Sequence, residues 1–106
     1  MINYLFGNIQ GVSRAPNLHR LKHLIHQHSL QVVALCEPQL TPIQANIQAI
    51  QVKLQMDSAM VNSSGSVWIF WSNSVSCDFV GDSDQHLFIK IQSQLLIAPI
   101  LFSFIH

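Results

Sequence analysis

Val32-Val33-Ala34-Leu35-Cys36 is a run of five apolar residues with paired valines and no polar alternation. It is too short for a helix, and its residue types favour extended backbone. A strand that is apolar on both sides has to lie inside a sheet covered on both faces. Val67-Trp68-Ile69-Phe70-Trp71 is a second strongly β-prone run, without basic neighbours, and reads as sheet core rather than as a base-stacking platform. With 106 residues to work with, the chain is one domain or a piece of one, organised around these two runs.

The remaining pattern alternates elements. Ile2 to Ile9 reads as a strand with Gly11 as the turn after it. Pro16 fits the first turn of a helix that runs to about residue 28, with Leu18, Leu21, Leu24 and Ile25 as its apolar stripe. Thr41-Pro42 caps and opens a second helix, buried along Ile43, Ile47, Ile50 and Leu54. Beyond Met56 the period shortens. Ser58 to Asn62, Val67 to Trp71, Ser76 to Val80, His86 to Ile91 and Leu95 to Ile105 read as strands at hairpin spacing, with Pro99 interrupting the last. The expected class is α/β: β-α-β-α, then an antiparallel meander, giving one mixed sheet with helices on one face. The other face of that sheet is expected to lack a cover.

Composition limits function. Charged residues make up 9% of the chain against about a quarter in ordinary proteins, and the formal net charge is zero. That argues against a strongly basic nucleic-acid binder. The longest apolar stretch, Leu95 to Ile105, contains Pro99 and falls short of the roughly 20 residues that span a membrane. No basic leader precedes an apolar core at Met1, and an intracellular setting is expected. Cys36 and Cys77 have no zinc or disulfide spacing and read as reduced structural thiols.

Two polar residues stand out against this background. Asn8 ends the first apolar strand and Glu37 ends the second. Adjacent parallel strands would bring both to one carboxyl rim, where sites gather in open sheets. A hard cation such as magnesium takes oxygen ligands and often only one or two carboxylates. Glu37 could supply one, and Asn8 could orient it or a phosphate. The alternative is structural: a strand-end Asn that starts a turn and a Glu that reaches solvent before Pro38.

The strings around these residues resemble a known family. Asn8-Ile9-Gln10-Gly11-Val12 is similar to the Asn-x-Arg/Gln-Gly motif that opens the endonuclease/exonuclease/phosphatase (DNase I-like) family. Val32 to Pro38 resembles that family's second strand with its metal-binding Glu. Ser66-Val67-Trp68-Ile69-Phe70-Trp71 and Gln85-His86-Leu87-Phe88 resemble segments of plant LINE-type retrotransposon endonucleases, and Leu101 to Ile105 looks like the strand leading to the family's active-site Tyr. The resemblance runs in order along nearly the whole chain. It implies a four-layer α/β/β/α sandwich that cleaves phosphodiesters of DNA with magnesium or manganese, and a nuclear location. It implies Asn8 as the active-site Asn and Glu37 as the metal ligand.

The departures are equally specific. Gly7 stands where the family has a bulky residue, and His106 where the Tyr is expected. No Gly-Asp-x-Asn or Ser-Asp-His segment follows. Asp82 and Asp84 fall too early to replace them and read as hairpin-turn residues. Residues 1–106 are therefore expected to form a truncated, N-terminal half of such a domain. Asn8 and Glu37 would be vestigial, and activity alone would be lost. The rival expectation is a non-catalytic module that pairs its uncovered sheet face with another copy or chain. His19, His23 and His26 share helical spacing that could bind zinc, but Arg20 and Lys22 flank them, so a solvated face is the expected role.

Overall fold

In the computed structural model, residues 3–8, 15–36, 44–62, 65, 67–82, 86–93 and 100–105 are described. They form β1 (Tyr4–Asn8), α1 (Ala15–His28), β2 (Val32–Cys36), α2 (Gln44–Leu54), β3 (Ser58–Val61), β4 (Val67–Trp71), β5 (Ser76–Asp82), β6 (His86–Gln92) and β7 (Ile100–Ile105). The α/β class and the β-α-β-α order followed by antiparallel strands are as expected. The Thr41-Pro42 cap, Ile43 and Pro99 lie outside the described residues.

β1 pairs parallel to β2, and β4 pairs antiparallel to both β2 and β3, which gives a mixed sheet in the order β1-β2-β4-β3. The helices cover one face of it. Leu18, Leu21 and Ile25 of α1 and Ile47, Ile50 and Leu54 of α2 meet Val33, Leu35, Trp68 and Phe70 in one core. Both helices end alike. Leu30 N–H donates to Ile25 O and Met56 N–H to Gln51 O, closing each terminus with Ser29 (φ 50°) and Gln55 (φ 60°) in the left-handed region. Leu30 and Met56 then turn back into the helix-side core.

One expectation is corrected here. The last strands do not extend the mixed sheet, and its far face is not left bare. β5, β6 and β7 make a separate antiparallel sheet. Val75, Cys77, Ile89 and Ile91 from this second sheet pack on Val32, Ala34, Cys36, Val67 and Ile69. The reason is hydrogen-bonding capacity. β4 already has β2 on one edge and β3 on the other, so the strand after it cannot pair with β4 as a hairpin. The chain turns a corner instead: Val75 N–H donates to Ser72 O, Ser72 N–H to Gln31 O, and Asn73 N–H to the Asp57 carboxylate at 2.7 Å. The result is three layers, helices, mixed sheet and second sheet. On β1, Tyr4 and Phe6 remain 53% and 42% exposed. A bulge between Phe79 and Gly81 carries β5 on to Asp82, which pairs with Leu87. Asp82 is thus a ladder residue and not the turn residue expected.

The β3–β4 hairpin is closed by Asn62, which is 3% exposed. Its Oδ1 accepts from Val67 N–H at 3.0 Å, and its backbone exchanges with Val67 O and Gly65 N–H. Gly65 (φ 78°) makes the turn, and its carbonyl accepts from Trp68 Nε1 at 2.8 Å. Asn62→Ala strands the buried Val67 N–H and is expected to cost about 1–3 kcal/mol, read from chemical denaturation.

Candidate functional site

The β1–β2 ladder runs from Tyr4 opposite Val32 to Asn8 opposite Cys36, and both strands end there. Asn8 therefore reaches the carboxyl rim beside Cys36, the residue that immediately precedes Glu37 in the sequence. Glu37, Gln10 and Gly11 lie outside the described residues. The rim is held in place from the opposite end of the strands. Asn3 O accepts from Gln31 N–H at 2.8 Å, and Asn3 Nδ2 donates to His28 O at 3.2 Å, tying the start of β1 to β2 and to the end of α1.

Among the described residues no group of three His, Cys, Asp or Glu side chains gathers to hold a metal. One carboxylate and one amide leave most of an octahedral magnesium shell to water and phosphate. A cleft of about 480 Å³ between Asn3, Tyr4, Leu5, Leu24, His28 and Leu30 opens at the other end of β1.

The remaining candidates resolve as follows. His19, His23 and His26 are exposed on α1, and His26 Nε2 shares a 2.8 Å hydrogen bond with Gln55 Oε1 of the neighbouring helix terminus. Trp68 is fully buried and bonded to Gly65, and Trp71 packs against the inter-sheet core, so the aromatic strand is core. No described helix is long and apolar enough to cross a membrane. Comparison with protein-family models, curated proteins and solved structures found no match.

Cys36 and Cys77 are free thiols within the inter-sheet core. Burial raises the pKa of Cys36. Burial, then the charge of Asp78, pushes Cys77 up to about 12 from 9.0. A thiol is a poor nucleophile until ionised. A folded-state pKa raised above the unfolded value means the folded protein holds its proton longer. The Cys77 contribution to stability is therefore intact below about pH 9 and is lost as pH rises towards 12. The denaturation midpoint should fall over that window, and Cys77→Ala should flatten the fall. An unchanged slope in the variant would remove Cys77 as its cause.

Proposed function

We propose that this chain derives from a metal-dependent phosphodiesterase of the endonuclease/exonuclease/phosphatase type acting on DNA, similar to retrotransposon endonucleases, and that it is inactive alone. The observation that carries the reading is the parallel β1–β2 register, which ends at Asn8 opposite Cys36, immediately before Glu37. Asn8 thus ends β1, and Glu37 follows in sequence the last residue of the neighbouring β2. A second, lesser support is the layering. A helix-covered mixed sheet backed by an antiparallel sheet is three layers of the four that the resemblance implies.

In such a site Glu37 would hold magnesium, and the metal would supply charge stabilisation at the phosphate and leaving oxygen. Asn8 would orient the phosphate. A general base must sit within hydrogen-bond reach of the attacking water, and Glu37 cannot serve both as that base and as the ligand. The sequence segments that would bring an Asp and a His to this task have no counterpart in residues 1–106. The rival reading, a module that pairs an uncovered sheet face, drew on a surface that the second sheet occupies over β2 and β4.

Purified protein should leave supercoiled plasmid intact with either magnesium or manganese. Robust nicking that disappears in Glu37→Ala would show a working site and overturn the inactivity.

A further inference from the structure

β1 ends the sheet order β1-β2-β4-β3, so one side of it faces outward. The direction of its backbone groups follows from Asn3. The Asn3 carbonyl accepts from Gln31 N–H, and Asn3 N–H donates to Gln31 Oε1, both on the β2 side. Backbone groups alternate in direction along a strand. Those of Leu5 and Gly7 therefore turn to β2, and those of Tyr4, Phe6 and Asn8 turn outward.

Natural sheet edges are guarded by charges, prolines, bulges or short length. Two other edges of this fold have such guards. β5 carries Asp78 and the bulge between Phe79 and Gly81, and β3 is only four residues long. β1 has none of them. Tyr4–Asn8 contains no charged residue and no proline, and its ladder with β2 runs without a shift. It also presents apolar surface. Tyr4 and Phe6 stand opposite Val32 and Ala34, on the side of the sheet that meets the second sheet. They prolong that apolar layer beyond β2, yet about half of each side chain is in water.

We propose that β1 pairs with β1 of a second copy of this chain, antiparallel about a two-fold axis at Phe6, the middle residue of the strand. The segment is its own complement. In this register Phe6 faces Phe6, Tyr4 faces Asn8, and Leu5 faces Gly7. Aromatic rings meet on one face, and a large side chain meets a small one on the other. The outward-turned residues of the two strands then exchange backbone hydrogen bonds. The two mixed sheets become one, and the apolar layer over Val32 and Ala34 continues from copy to copy. A net charge of zero removes the repulsion that keeps equal chains apart. The four aromatic side chains hide on the order of 400 Å² between them, well under a standard interface of about 1,600 Å², so the pair is a reversible one. The contact uses backbone and apolar groups alone and does not rest on the phosphodiesterase reading.

The test is sedimentation velocity over a range of protein concentrations, which should show a monomer–dimer equilibrium. Phe6→Lys places an ammonium group from each copy at the axis and should abolish it. Leu101→Lys makes the same kind of change at an exposed leucine of β7 and should leave it intact. Circular dichroism melts check that both variants keep the fold. Disulfide trapping reads the register without a charge on the strand. Directly hydrogen-bonded residues on antiparallel strands have Cα atoms about 5.5 Å apart, within disulfide range. Phe6→Cys should therefore cross-link to its own copy on mild oxidation. Tyr4→Cys should not, because the two Tyr4 positions lie about 13 Å apart along the strands. Cys36 and Cys77 are buried, so the unaltered chain should stay uncross-linked. A strict monomer at every concentration would overturn the proposal. So would association that persists in Phe6→Lys or is lost in Leu101→Lys, and so would cross-linking of Tyr4→Cys as readily as Phe6→Cys.

Discussion

The position of β4 governs the rest of the structure. Val67–Trp71 is apolar at every residue and sits between β2 and β3 with both of its hydrogen-bonding edges used. Trp68 and Phe70 point into the helix-side core, while Val67 and Ile69 point into the inter-sheet core. All four are fully buried. Each buried large side chain is worth roughly 1.5–3 kcal/mol relative to exposure, so neither face of this strand can be left to water without a large loss. Two demands on one strand, saturated edges and covered faces, account for the existence of both outer layers.

The same demands explain the short corner at Ser72–Ser74. A hairpin would have been the economical connection, but pairing partners for β4 are already in place. The backbone groups freed at the corner are taken up by Gln31 O, Ser72 O and the Asp57 carboxylate. Polar groups left without partners in such a place would each cost a substantial fraction of a small domain's stability. Asp57 is thus spent on architecture.

Much of this was legible in residue pattern. The stripes of α1 and α2, the parallel unit and the apolar strands follow from periodicity and propensity, and Leu21, Leu54 and Trp68 are buried as their positions required. The second sheet was not legible, because hairpin spacing describes how strands follow one another and not which edges remain open. The bulge that draws Asp82 into a ladder is local geometry with no strong residue signal beyond Gly81. At the candidate rim, strand ends placed Asn8 from sequence alone. The absence of acidic residues from both helices is masked by a net charge of zero, although the division of Lys, Arg, Asp and Glu between the two halves of the chain carries it.

The corner at residues 72–75 also divides the molecule in time. Everything in the mixed sheet and both helices lies before it in the chain, and everything that covers Val32, Ala34, Val67 and Ile69 lies after it. A growing chain can close the helix-side core once Trp71 has left the ribosome, at some 5–20 residues per second. It then carries an open apolar sheet face until Val75 to Ile91 arrives to seal it. During that interval of seconds, the nascent protein is a half-finished surface suited to chaperones, and its greatest exposure to misassembly comes during synthesis and not afterwards.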